Sequence, residues 1–280
     1  MNFRLETIAR GLGFVEGLRW HQDRLWFSDF GNRRVYSVGR DRHLREEAYV
    51  PAQPSGLGFD PEGNLLIVST HDGRLLRREA RGEVVVADVG ALYRGGLNDM
   101  LTDRLGRCYV SAFSPPLIGE PNPDVPPDGG RIPLFLVSPS GESQIVATDL
   151  KTPNGMALTP DGSELLVAES LGNRVSIFTV QVDGALGERR TYIDLEHRSP
   201  DGLCMDSRGR LWIGCPFTSE FIRLNEAGEI DEIVTIPDRW TITCAVGASD
   251  REIWLGTVET TIEDYKRGRS RGEIRRCTLS

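Results

Sequence analysis

Six short elements of one form recur along this chain of 280 residues: a polar residue, usually a Gly, then an apolar residue. They are Glu16-Gly-Leu, Ser55-Gly-Leu, Asn98-Asp-Met, Asn154-Gly-Met, Asp201-Gly-Leu and Thr243-Cys-Ala. Four of the polar positions carry strong oxygen donors: the carboxylates of Glu16 and Asp201 and the amides of Asn98 and Asn154. Brought together, they form a hard-oxygen site without Cys or His, suited to Ca2+, Mg2+ or Mn2+ rather than to a soft-ligand metal. A flexible shell of carboxylates, carbonyls and waters favours Ca2+. Without a cation, two carboxylates in a low-dielectric channel would raise a pKa or destabilise the fold. The plainer alternative is that Asn, Asp, Ser and Gly are turn formers that merely open six strands. Neutral Ser55 and Thr243 at the remaining two positions weigh toward a ligand role for the other four.

Bringing residues up to 185 positions apart to one place requires a closed, repetitive architecture. A second repeat supplies it. Segments such as Asp60-Pro-Glu-Gly-Asn-Leu, Asp103-Arg-Leu-Gly-Arg-Cys and Asp206-Ser-Arg-Gly-Arg-Leu place a turn before an apolar run. Weaker relatives begin at His21, Pro160 and Ser249. Their anchors are Trp26, Leu66, Tyr109, Leu166, Trp212 and Trp254, spaced by 40, 43, 57, 46 and 42 residues. Each polar element lies 10 to 12 positions before its anchor. Short strand-like runs such as 25–28, 35–38 and 45–50, separated by Gly, Asn and Asp turns, fill each unit. Four short strands per unit describe a β-propeller blade, and six units predict an all-β, six-bladed propeller spanning residues 1–280 as one domain. No amphipathic helix of useful length supports a TIM barrel. Residues 273–280 read as the third strand of the last blade, and residues 3–8 as the fourth, which closes the ring and removes an exposed edge.

Composition narrows the partners. Acidic side chains outnumber basic ones 41 to 33, a net charge of −8, which argues against a nucleic-acid partner. No run approaches the roughly 18 apolar residues that would cross a membrane. The first residues show no apolar leader region. Five cysteines, an odd number without a Cys-x-x-Cys pair, fit a reduced, cytoplasmic setting with inert thiols. The 31 glycines are an excess that favours turns over long helices. The basic run 266–272 reads as a solvated loop between strands of the last blade.

With these residues in view, the sequence resembles the SMP-30/gluconolactonase/luciferin-regenerating-enzyme family of six-bladed propellers. The matching stretches are Glu16-Gly-Leu-Arg-Trp, Asn98-Asp-Met-Leu-Thr-Asp, Thr152-Pro-Asn-Gly-Met-Ala-Leu with Ala168-Glu-Ser-Leu-Gly-Asn-Arg-Val, and Pro200-Asp-Gly-Leu-Cys-Met-Asp. The similarity covers about residues 12–258. It implies that Glu16, Asn154 and Asp201 bind one divalent cation, and that Asn98 is a fourth ligand or touches substrate through water. It also implies Asp201 as general base and a lactone as the small-molecule substrate, with phosphotriesters or other esters as the alternative. Ca2+ is the expected ion, with Mg2+, Mn2+ or Zn2+ as alternatives. A non-catalytic binding propeller with a structural ion is the rival from another class. Members that bind sugar acids often carry Arg two residues before the Asn; here that position is Gly96, which puts a sugar lactone in doubt.

The chemistry expected is attack of an activated water on a cyclic ester, with Asp201 taking the proton. No Gly-x-Ser-x-Gly elbow is present, and the four His residues show no paired ligand spacing; His21 and His43 read as turn residues. If the first strand of each blade starts at the metal end, connections between second and third strands return there. These contain 28–32, 70–73, 111–130, 170–173, 215–219 and 257 onward. They make His71, Phe113 and Phe217 candidate substrate contacts. The third connection, with six prolines in 114–130, is either a stiff excursion or a partial lid.

Overall fold

The computed structural model describes residues 3–114 and 131–279. Six four-stranded antiparallel sheets hold all 24 described strands. Blade I comprises Val15–His21, Arg24–Asp29, Arg34–Gly39 and Leu44–Tyr49, and blade II comprises Pro54–Phe59, Leu65–Ser69, Arg74–Glu79 and Gly82–Asp88. Blade III holds Gly96–Thr102, Cys108–Phe113, Ile132–Val137 and Ser143–Leu150; blade IV holds Pro153–Leu158, Glu164–Glu169, Arg174–Thr179 and Arg190–Asp194. Blade V is Leu203–Met205, Leu211–Cys215, Glu220–Leu224 and Ile230–Thr235. Blade VI is Trp240–Val246, Glu252–Glu259 and Arg271–Leu279, completed by Phe3–Leu12. The expected six-bladed propeller and its closing N-terminal strand are both present.

Each anchor read from the repeat falls on the second strand of its blade, and Leu66, Tyr109, Leu166, Trp212 and Trp254 are buried. The turn before it has a common chemistry. In blade V, Asp206 Oδ1 accepts from the N–H groups of Arg208 and Arg210, each at 3.0 Å, while Arg210 Nε donates 2.6 Å to Oδ2. Asp103 holds Leu105 and Arg107 in the same way in blade III. Gly106 and Gly209 sit at φ +78° and +80° in these turns, a region open to Gly without steric cost.

Six hydrophobic clusters form the core, one between each pair of neighbouring blades. Tyr109 and Leu134 of blade III meet Met156 and Leu165 of blade IV, for example, and Val15 and Phe27 of blade I meet Ile242 and Val258 of blade VI. A strand packed on both faces has no solvent side, so Leu65–Ser69 and Ile132–Val137 are buried throughout. The ring closes by pairing Phe3 with Leu279 and Thr7 with Arg275, and Glu6 bridges Arg276 at 2.7 Å and Arg42 of blade I at 2.6 Å. The one described α-helix, Ile262–Lys266, lies in the connection before the third strand of blade VI. The basic run beside it is matched locally: Arg267 pairs with Glu263, Arg269 with Asp264 and Arg271 with Glu259. Arg271 already belongs to the strand, so only part of the run is loop. His21, expected in a turn, ends a strand and stacks on Phe59 with ring centroids 3.8 Å apart.

Candidate metal centre

The polar-Gly elements open the innermost strands, and there the ladders slip. Register shifts fall between Glu16 and Arg19, Pro54 and Leu57, Leu97 and Met100, Pro153 and Met156, and Thr241 and Thr243. Bulges of this kind re-aim side chains and gather at binding sites. The Gly residues let neighbouring blades approach. A Cβ on Gly155 would stand 2.5 Å from the Leu203 nitrogen, and one on Gly202 would stand 2.6 Å from the Thr243 Cα. Backbone bonds then tie the elements in series: Gly155 N–H donates 3.1 Å to the Asp201 carbonyl, and Gly202 N–H donates 2.8 Å to the Ile242 carbonyl.

One cavity of about 150 Å³ at the axis receives Glu16, Ser55, Asn98, Asn154 and Asp201 together. Residues far apart in sequence thus share one enclosure. The larger cavity at the other end of the channel, about 830 Å³, is lined in part by Arg19, Cys204 and Cys244, and by none of the four oxygen donors.

Hydrogen bonds orient the amides. Asn154 Nδ2 donates 3.3 Å to Ser170 Oγ, and Ser170 Oγ donates 2.7 Å to the Pro200 carbonyl. Asn98 Oδ1 accepts from Ser55 Oγ at 3.4 Å, so a neutral position of the repeat supports a donor position. The carboxylates are less satisfied. Asp201 Oδ1 is buried without a hydrogen-bond partner, and Arg19, the base that counters Glu16, is paired at 2.8 Å with Asp99. Burial pushes the Glu16 carboxyl well above its usual range, and the charges of Asp201 and Asp99 push it further, against the opposing pull of Arg19. Burial, then the charge of Asp99, raises Asp201 likewise. Asp99 is itself raised by burial, although Arg19 counters at 2.8 Å. Three carboxyl groups and one guanidinium meet at the axis, two more acids than bases.

That excess and the orphaned Asp201 oxygen fit a divalent cation of hard-oxygen preference. No group of three or more His, Cys, Asp or Glu among the described residues is placed to hold a metal ion, so two carboxylates here would need the amides to complete the set.

Aromatic rings surround the opening. Phe113, buried, and Phe217, 61% exposed, line the cavity. His71 stands outside the lining, edge-on to Phe30 with centroids 6.2 Å apart, and its Nε2 meets Gln53. Phe14, Phe30, Trp240 and Tyr265 line the cavity and were not singled out in the sequence. Phe14 sits two residues before Glu16 and Trp240 three before Thr243, a placement the repeat could have flagged. Burial, then the charges of Glu16 and Asp201, push the Tyr265 phenol up to about 12, so it stays a neutral donor. The stretch 115–130, and with it the lid question, lies outside the described residues.

Comparison with known proteins adds an independent line. The profile of the family described as SMP-30/gluconolactonase/LRE-like region matches residues 14–259. Regucalcin of Danio rerio is 25% identical over 174 residues, 61% of this chain and 56% of that protein. Pentonolactonase XacC of Haloferax volcanii is 24% identical over 206 residues, 70% of this chain and 65% of its own length. The chain therefore spans less than two thirds of either relative. A gluconolactonase structure from Xanthomonas campestris superposes with a TM-score of 0.81 at 22% identity, over 99% of this chain and 90% of that one, a likeness of fold.

Proposed function

The chain belongs to the SMP-30/gluconolactonase/LRE-like family, and from that premise we propose that it is a lactone hydrolase dependent on one divalent cation. The observation that carries the reading is Asp201 Oδ1, buried and unpartnered in a cavity where carboxylates outnumber cations. Similarity to a pentonolactonase supports the substrate class.

Glu16, Asn154 and Asp201 hold the ion, and Asn98 adds a fourth oxygen or a contact to substrate through water. Ca2+ suits this mixed, uncharged-plus-carboxylate set best. When bound, the cation supplies Lewis acidity to the ester carbonyl and to the attacking water. Asp201 accepts the proton of that water and returns it to the ring oxygen as the ester bond breaks, leaving a hydroxy acid. Ser170 and Ser55 hold the two amides in place through the bonds described above. The neutral Tyr265 phenol faces the same cavity as a donor. A cytoplasmic setting is part of the proposal, supported by five free cysteines. No helix of the described residues is long and apolar enough to cross a membrane.

A pH-stat assay of five- and six-membered lactones with Ca2+, Mg2+, Mn2+ or Zn2+ tests the reading. Asp201→Asn should keep the fold and lose turnover by about three orders of magnitude. A wild-type protein inert on every lactone, yet active on phosphotriesters or simple esters, would replace lactones by those substrates.

A further inference from the structure

Resting on the lactonase reading, we infer that this site selects lactones bearing an apolar substituent, an alkyl chain or aryl group, over polyhydroxylated or acidic sugar lactones. Charge is the first reason. The only charged residues lining the cavity are Glu16 and Asp201, both acids, with no Lys or Arg among the described lining. Arg239, Arg269 and Arg271 line an adjoining cavity instead, and are paired with Glu273, Asp264 and Glu259. An acidic substituent would find no counter-charge, and burying it unpaired is costly.

The second reason is that the serine hydroxyls of the cavity are already engaged, which leaves a polyol few partners. The Ser170 hydroxyl donates to the Pro200 carbonyl and the Ser199 hydroxyl to the Ser170 carbonyl, 2.7 and 2.8 Å. Ser55 is turned to Asn98. Sugar hydroxyls entering here would shed water for few replacement bonds.

The third reason is shape. A cavity near 150 Å³ holds about one six-membered ring, so a substituent must lie along the rim. That rim is apolar. Phe217 and Leu171 are 61% and 54% exposed, on neighbouring blades. The Phe217 ring meets Trp240 edge-on at 5.1 Å, Trp240 stacks on Tyr265 at 6.3 Å, and Tyr265 meets Phe14 at 5.0 Å. Phe217 and Leu171 thus leave apolar surface open beside the site, which an apolar substituent would cover. On the opposite wall the Phe113 ring occupies the space of any side chain at position 96: a Cβ on Gly96 would stand 2.5 to 2.9 Å from its ring carbons. No polar side chain can extend from there while Phe113 holds its place.

The test compares δ-decanolactone with δ-gluconolactone on the Ca2+-loaded protein. The alkyl lactone should lead in kcat/KM by roughly 100-fold. Phe217→Ala should reduce that lead about tenfold, and Phe217→Leu should restore most of it. A ratio at or below one overturns the inference while leaving the lactonase reading intact. Calorimetry with the corresponding hydrolysis-resistant lactams, pentyl-substituted and sugar-derived, separates the two ideas. If neither lactone is opened but the pentyl lactam binds at least tenfold tighter, lactonase activity falls and apolar selection stands. Equal or tighter binding of the sugar lactam, or no binding of either, overturns it.

Discussion

The guanidinium of Arg19 in blade I donates 2.8 Å to Asp99 Oδ1 in blade III, 80 residues away. It also donates to the Met100 carbonyl. Asn98, next to Asp99, lines the metal cavity, whereas Arg19 lines the cavity at the other end. The pair therefore stands between the two ends of the channel, and its Arg19 is the cation that opposes the raised Glu16 carboxyl.

Arg19→Met should leave Asp99 buried without its counter-charge and cost about 3–5 kcal/mol, read from the urea midpoint at constant m. Adding Asp99→Asn should recover most of the loss. Losses from the two single variants that simply add in the double variant would show the residues to be uncoupled.

Glu16 and Asp201 both have native pKa values raised by burial and by neighbouring acids. A carboxyl raised on folding contributes stability below its unfolded value, 4.5 for Glu16, and loses it as pH climbs through the native value. Chelator-treated protein should therefore weaken as pH rises from there toward neutrality. Glu16→Gln should flatten this slope and raise the metal-free Tm at neutral pH. The same variant should lose the gain from Ca2+, which in wild type is about 2.7 kcal/mol at a hundredfold excess over Kd. Parallel pH profiles for variant and parent would refute an uncompensated pair.

Removing residues 1–9 strips most of the strand that pairs with Arg271–Leu279 and deletes the bridge from Glu6 to Arg276. The truncated chain should fail to fold cooperatively. Melting at the parental temperature would show that ring closure is dispensable.

Gly202→Ala should cost about 1–3 kcal/mol, because its Cβ would press on backbone of blade VI at 2.6 Å. The same change should weaken the ion site, since Asp201 precedes it. Gly187→Ala, with its nearest neighbour at 3.4 Å, is the control, and thermal melts should separate the two clearly.

The ring was legible because its signals repeat. Asp103, Asp206 and the glycines after them close one kind of hairpin, and the polar-Gly elements open one kind of strand, so six weak signals reinforced each other. Convergence of Glu16, Asn98, Asn154 and Asp201 follows from equivalent positions in a closed ring. The aromatic rim does not repeat. Phe14 and Phe30 come from connections of differing length, Trp240 opens the first strand of blade VI, and Tyr265 sits on the one α-helix among the described residues. Nor could sequence periodicity pair Arg19 with Asp99, because their link skips blade II. His71 sat on the expected connection but was turned toward Gln53, a side-chain choice that blade register does not determine.

The closing strand also sets an order of events during synthesis. Glu16 through Asp201 leave the ribosome well before Arg271–Leu279, the segment that Phe3–Leu12 must find. Until that segment emerges, Glu16 is carried by a blade whose neighbour on one side is unfinished, because Val15 and Leu18 pack against blade VI. Blade I thus waits for Arg271–Leu279 before blade VI is complete beside it. A nascent chain arrested short of residue 271 should carry all four oxygen donors and still hold no ion.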